Sequence, residues 1–222
     1  MISEKIKEIK STLPATVRLI AVSKTKPVEM LREAYDAGQR LFGENYATEL
    51  RDKHAEMPED VEWHFIGHLQ PKQLKYYIGF VKMIHGVDSL EHLEAVEHAA
   101  AKVGRTVDVL LQFHIACEET KFGFGVDELS SLTAMPALPH VRVCGVMGMA
   151  SQTDDKEQVR SEFRHLKAIF DQLKATLFAD KPEFCEISMG MSGDYTIAIE
   201  EGATLIRLGS SIFGARYYGP KA

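Results

Sequence analysis

Eight short apolar runs of strand character punctuate this chain, and longer stretches with helical spacing lie between them. That alternation constrains the fold more than any other feature. The runs are VRLIAVSK (17–24), RLFGENY (40–46), EWHFIG (62–67), KMIHGVD (82–88), TVDVLLQFHI (106–115), VRVCGVMGMA (141–150), EFCEISMG (183–190) and LIRLGSSIFG (205–214). Among the intervening stretches, 27–38, 89–104 and 155–177 carry the 3.6-residue period, and several open on Ser, Asp or Pro and close on Gly, as helix ends do. The segment 70–80 has the weakest helical pattern. Ahead of the first run, Ile2, Ile6, Ile9 and Leu13 form one face of an amphipathic N-terminal helix. Strand–helix alternation argues a parallel sheet, and eight strands in a chain of 222 residues predict a single (β/α)8 TIM barrel preceded by that helix. With no linker or low-complexity tract, residues 1–222 read as one domain. The alternative is an open doubly wound sheet, which would normally place a glycine-rich phosphate turn after the first strand; this chain has Ser23-Lys24-Thr25-Lys26-Pro27 there.

Charge narrows the partners. A net charge of −6 leaves no electrostatic footprint for nucleic acid or an anionic membrane, and no apolar run approaches spanning length. The N-terminus lacks the apolar core of a signal peptide. Cys117, Cys144 and Cys185 are odd in number, widely separated and without zinc spacing, which fits reduced packing residues of a cytoplasmic protein.

In a barrel, binding and catalytic groups stand where the strands run out. Lys24 ends the first run, Glu44, Asn45 and Tyr46 the second, His68 the third, Met149 and Ser151 the sixth; Ser188 to Asp194 end the seventh, and Gly209-Ser210-Ser211 close the eighth. Ile20, Val22 and Lys24 share a face. If it faces inward, the Lys24 ammonium tops the apolar interior, where desolvation lowers its pKa and makes it a nucleophile toward carbonyl carbon; the competing reading is a snorkelling lysine with its head in water. Lys26, just before Pro27, reads as exposed or as a secondary amine near the site.

The loops after strands seven and eight of this fold commonly cradle phosphate. Ser192 is expected to cap the helix that follows it, Gly193 to let the backbone approach an anion, and Gly209 and Ser210 to add amides and a hydroxyl. Arg207, inside the eighth run, either points inward as a permanent cation or forms a structural pair with a carboxylate such as Glu186. His64 and His68 are four apart but lie on strand and turn, so a metal pair is not expected. His85, His92, His98 and His165 read as scattered surface or packing residues. Lys121, between the fifth strand and Gly123 and Gly125, is either a second site lysine or a solvated loop charge.

The motifs LIAVSKTKP, LFGENY, WHFIGHLQ and SMGMSGDY, followed by IAIEEGAT and IRLGSSIFGAR, resemble the pyridoxal phosphate homeostasis protein family, single-domain relatives of the alanine racemase barrel. The resemblance covers nearly the whole chain in order. It implies that Lys24 forms a Schiff base with pyridoxal 5'-phosphate, that Arg207 faces the pyridine nitrogen, and that Ser192, Gly193, Gly209 and Ser210 line the phosphate. Asn45, His68 and Met149 would border the pocket, and Lys26 and Lys121 would help pass the cofactor in or out. Where the family commonly has Gly-Thr-Ala, this chain has Gly209-Ser210-Ser211, which keeps the hydroxyl. Gly193 stands where Ala is common.

The resemblance implies cofactor binding and homeostasis without established turnover, in a cytoplasmic monomer that serves pyridoxal phosphate-dependent apo-enzymes. An arginine at the pyridine nitrogen opposes its protonation and weakens the ring as an electron sink. A two-base racemase also needs a second proton donor on the opposite face, which racemase relatives take from an additional domain; the sequence runs only to Ala222, and Tyr46, Tyr195, Tyr217 and Tyr218 are the remaining substitutes. A pyridoxal phosphate-dependent racemase or decarboxylase is the alternative. A cofactor-free lysine aldolase with a sugar-phosphate substrate is the third reading.

Overall fold

A computed structural model describes residues 1–118 and 122–214. Eight parallel strands close into a barrel in chain order: β1 (Arg18–Val22), β2 (Leu41–Glu44), β3 (Glu62–Phe65), β4 (Met83–Val87), β5 (Val107–Gln112), β6 (Val141–Met147), β7 (Glu186–Ser188) and β8 (Leu205–Leu208). Closure is a β8–β1 ladder in which Ile20 lies beside Arg207 and Ala21 beside Leu208. The expected architecture is therefore present, and the open sheet is excluded.

Side-chain parity divides the strands cleanly. Trp63, Phe65, Ile84, Ile187, Ile206 and Leu208 point outward into the core between sheet and helices, while Ile20, Met83, Leu110, Cys144, Met147 and Leu205 pack inside the barrel. Apolar inward residues alone do not fill that interior. His64, His85, Ser188 and Arg207 are buried on the same inward parity, where barrels of this kind usually place branched aliphatics.

The outer ring comprises α1 (Ile2–Thr12), α2 (Val28–Asp36), α3 (Ala47–Glu56), α4 (Leu90–Lys102), α5 (Lys156–Ala175), α6 (Tyr195–Glu200) and α7 (Ser210–Phe213). Ser89 caps α4 by accepting from His92 N–H, and Asp155 caps α5 through Glu157 and Gln158 N–H. The weak pattern at 70–80 resolves as a 3-10 helix, Pro71–Tyr76, and a second 3-10 stretch, Val126–Ala134, follows β5. The α1 helix docks on α2, where Glu33 accepts from the N–H groups of Ile2 and Ser3, two donors that a helix start leaves unsatisfied.

Several expectations are corrected. The last apolar run is strand only to Leu208; Phe213 N–H returns to Gly209 O, so 210–213 is a helical turn. Ser192 does not cap the helix after it. Asp194 occupies the N-cap of α6, its Oδ1 accepting from Met191 N–H at 2.5 Å, and Ser192 instead accepts from Ser211 N–H. All three cysteines are free as expected, but only Cys144 is buried as a packing residue; Cys117 and Cys185 are exposed. Of the histidines read as surface or packing residues, His98 and His165 are exposed and His85 is completely buried inside the barrel, while His92 pairs with Asp88 at 2.6 Å. Among the described residues no helix is long and apolar enough to cross a membrane.

Candidate functional site

At the C-terminal mouth of the barrel lies a cavity of about 290 Å³ lined by Lys24, Lys26, Asn45, Met149, Ser192, Gly193, Arg207, Gly209 and Ser210, with Val22, Ile66, Met191 and Gly214 completing the wall. Every site residue expected from sequence is there except His68 and Lys121. His68 stands apart, stacked on Phe122 at 3.9 Å with Asp88 3.7 Å from its Nδ1. Lys121 lies outside the described residues, as do Tyr217 and Tyr218. The lining carries three cationic side chains and, among the described residues, no carboxylate. Such a mouth selects an anion. It adjoins a larger cleft of about 670 Å³ that shares Met149, Met191 and Gly193 with it.

Lys24 is held through its neighbours. Ser23, completely buried, donates its hydroxyl to Glu44 Oε1 at 2.7 Å, and its carbonyl accepts from Lys53 Nζ at 2.7 Å. On the other side, Thr25 N–H donates to Glu49 Oε1 at 2.6 Å, with Thr25 at φ 63°, a backbone region unusual for a β-branched residue. Lys53 Nζ bridges the two carboxylates, 2.7 Å from Glu44 and 2.6 Å from Glu49. Burial raises the Glu44 carboxyl above its ordinary value even against the pull of Lys53. Both peptides flanking Lys24 are thus pinned to a buried ionic cluster behind the sheet, while its side chain, half-buried, projects into the cavity.

Lys26 Nζ donates to Phe213 O and Gly214 O, each at 3.2 Å, and so ties the β1 loop to the end of α7. The Ser192 hydroxyl, reaching Ser211 N–H at 3.4 Å, joins the loops after β7 and β8. Between them Gly190 has φ +91°, and a Cβ there would approach Ala198 Cβ to 2.6 Å, so only glycine makes this turn; its carbonyl accepts from Arg207 N–H. Asn45 Oδ1 is buried and has no hydrogen-bond partner among the described residues.

Arg207 points inward, and the Glu186 pair is not formed: Glu186 binds Arg18 instead. Arg207 Nη1 donates to Ser188 Oγ at 2.5 Å and Nη2 to Gly148 O at 3.1 Å. Burial lowers its pKa to about 10, which leaves it charged at neutral pH. Sequence reasoning named Ser188 and Glu44 only as strand-end polar groups and His85 as a surface or packing residue, and it gave Lys53 no role. Parity puts His85 on the face of its strand opposite Ile84, and Ser188 opposite Ile187, but only barrel closure makes that face the inner one; nothing local marks Lys53.

A closed parallel barrel that gathers two amines, a guanidinium and small polar loops at one mouth defines a (β/α)8 barrel with a cationic cavity at its C-terminal face. The family described as alanine racemase, N-terminal domain, matches residues 1–217. The pyridoxal phosphate homeostasis protein of Aquifex aeolicus is 38% identical over 203 residues, covering 90% of this chain and 88% of that protein. The protein of the same name from Bos taurus is 38% identical over 217 residues, covering 92% of this chain and 79% of that one. PipY of Synechococcus elongatus, solved with PLP bound, superposes with a TM-score of 0.87 at 34% identity, covering 96% of this chain and 100% of that one. This chain belongs to the alanine racemase N-terminal domain family and, within it, to the pyridoxal phosphate homeostasis proteins.

Proposed function

We propose that this chain binds pyridoxal 5'-phosphate at the mouth of its barrel and serves to hold and balance the supply of that cofactor, without catalytic turnover of its own. The observation that carries the reading is the composition of the cavity wall: Lys24, Lys26 and Arg207 with no carboxylate among the described residues. When bound, the cofactor supplies an aldehyde that condenses with a primary amine and a phosphate that seeks N–H and hydroxyl donors. The residues present fit it. Lys24 is the amine placed to take the aldehyde. Ser192, Gly193, Gly209 and Ser210 form a small-residue cradle for the phosphate at the first turn of α7. Val22, Ile66 and Met149 offer apolar walls for a ring, and the orphaned Asn45 Oδ1 offers an acceptor to it. Arg207, the buried cation, is assigned to the ring nitrogen. Lys26, bonded to carbonyls beside the cradle, guards its rim.

Non-catalytic holding is supported by which proton carriers reach the cavity. A racemase needs acid and base on opposite faces of its substrate. Of the four tyrosines considered for that part, Tyr46 and Tyr195 are not in the wall, and Tyr217 and Tyr218 lie outside the described residues. The adjoining cleft suits exchange of cofactor with an acceptor protein, and pyridoxal phosphate-dependent apo-enzymes are the proposed recipients.

The test is borohydride reduction of the protein after incubation with pyridoxal 5'-phosphate, followed by peptide mapping. The expected label sits on the peptide bearing Lys24, and Lys24→Ala leaves the protein colourless and unlabelled at that position. Label confined to another lysine would overturn the assignment, and accumulation of the mirror form from a single amino-acid enantiomer would restore the racemase reading.

A further inference from the structure

Beneath the cavity floor the barrel interior holds a file of polar groups that the proposed function does not use. Ser188 Oγ lies 2.9 Å from His85 Nδ1, and His85 Nε2 lies 2.8 Å from His64 Nδ1. With the Arg207 contact to Ser188, four strands, β8, β7, β4 and β3, contribute one residue each to a continuous chain. Its lower end opens on a second cavity of about 240 Å³ at the opposite mouth, lined by His64 among charged residues that include Arg18, Lys82, Asp108 and Glu186.

We propose that Ser188, His85 and His64 form a one-way hydrogen-bonded column that positions the Arg207 guanidinium against the cofactor cavity, with both imidazoles neutral and both carrying their proton on Nε2. The assignment of what Arg207 faces rests on the proposed function; the direction of the column does not.

The direction follows from donor inventory. A guanidinium has only donors, so Ser188 Oγ must accept from Arg207. The hydroxyl proton is then free to go to His85 Nδ1, the acceptor within reach. His85 therefore keeps its proton on Nε2 and donates to His64 Nδ1. His64 in turn keeps its proton on Nε2, the atom that is buried and has no hydrogen-bond partner among the described residues. The reverse direction would make Ser188 Oγ accept twice and leave its own proton without an acceptor among the described residues. Neutrality follows from the surroundings. Burial, and then the charges of Arg18 and Lys82, hold His64 down at about 3; burial, and then His64, Arg207 and Arg18, hold His85 well below its ordinary value.

The groups that hydrogen-bond the Arg207 guanidinium are the Ser188 hydroxyl and the Gly148 carbonyl, while the Asp194 carboxylate acts on it through its charge. A neutral hydroxyl–imidazole column fixes the orientation of the guanidinium without adding a formal negative charge of its own. Ser188, His85 and His64 are thus positioning residues acting through Arg207.

Nitrogen-15 histidine spectra of the cofactor-free protein at neutral pH test the column directly. The expected pattern is a protonated Nε2 and a bare Nδ1 for both His64 and His85. A protonated Nδ1 or an imidazolium on either ring overturns the proposal, whether or not the cofactor binds. Ser188→Ala removes the acceptor from Arg207 and is expected to weaken pyridoxal 5'-phosphate binding about tenfold and to shift the pH profile of the bound chromophore, with Ser188→Thr restoring both. Unchanged affinity and profile in a folded Ser188→Ala protein, checked by thermal melt, would show that the column positions nothing. Failure of label at Lys24 would sink the functional reading while leaving the tautomer result standing.

Discussion

Two buried polar networks hold the two cations that matter at this mouth, and they are built on opposite plans. Behind the sheet, under Lys24, Lys53 bridges Glu44 and Glu49, and the cluster grips the backbone on either side of the site lysine. Inside the barrel, under Arg207, the partners are a hydroxyl and two imidazoles with no formal charge. The contrast matches what each must deliver. The ionic cluster aims Lys24 through its backbone, gripping the peptides on either side of it from behind the sheet. An arginine meant to remain a cation is gripped at its charged end, which only a neutral partner can do without quenching it.

The two plans differ most in what one deletion costs. Lys53→Met leaves Glu44, completely buried, without its counter-ion, and breaking a buried pair on one side costs about 3–5 kcal/mol. Chemical denaturation should show that loss, and Lys53→Met combined with Glu44→Leu should recover much of it. If Lys53→Met unfolds no more readily than the parent, the cluster is not the clamp described. His85→Phe, in the neutral column, strands the Ser188 hydroxyl and His64 Nδ1 and is expected to cost less, about 1–3 kcal/mol by the same measurement.

Acid separates the networks by sign. His64 and His85 bind protons less readily in the fold than in the unfolded chain, where the ordinary value is 6.5. Their contribution is present above that value and is lost as pH falls below it, for His64 toward about 3. Glu44, whose pKa burial raises, works the other way, because acidification through its folded value favours the fold. Denaturation midpoints between pH 7 and 4 should therefore decline, and the decline should be shallower in His85→Phe. An equal slope in both proteins would place the acid sensitivity elsewhere.

The sequence made the barrel legible because period-2 and period-3.6 patterns alternate without interruption, and strand ends pointed to nearly every residue of the cavity wall. It could not show what lies behind them. Lys53 reads as an ordinary helix-surface lysine in RDKHAE, and only the packing of α3 on β2 turns it inward. His85 in KMIHGVD alternates with Ile84, so parity places it on one face without saying which, and it reads as a packing residue until closure puts Ser188 of β7 across the lumen. His68 failed in the opposite sense: it ends the third strand as a site residue would, yet it turns aside to Phe122 and Asp88. Cap assignment at Ser192 went astray because two residues of cap chemistry, Ser192 and Asp194, stand two apart and only loop geometry chooses between them.

The smallest expected effect belongs to Lys26, which stands between the two networks and belongs to neither. Its ammonium bonds two backbone carbonyls at 3.2 Å, and it is only half-buried. Replacement by glutamine keeps a donor for one carbonyl and removes the charge, so stability should change by less than about 1 kcal/mol. Affinity for pyridoxal 5'-phosphate should fall by only a few-fold, about what one partly solvated cation contributes to an anion site, and the loss should shrink as salt is added. Arg207→Gln, by contrast, removes a cation screened from solvent by the barrel, and its deficit should persist in the same salt series. A Lys26→Gln deficit that ignores salt would mean that this amine meets the ligand as deeply as Arg207 does, and the division between a guarding rim lysine and a buried, column-held arginine would fall.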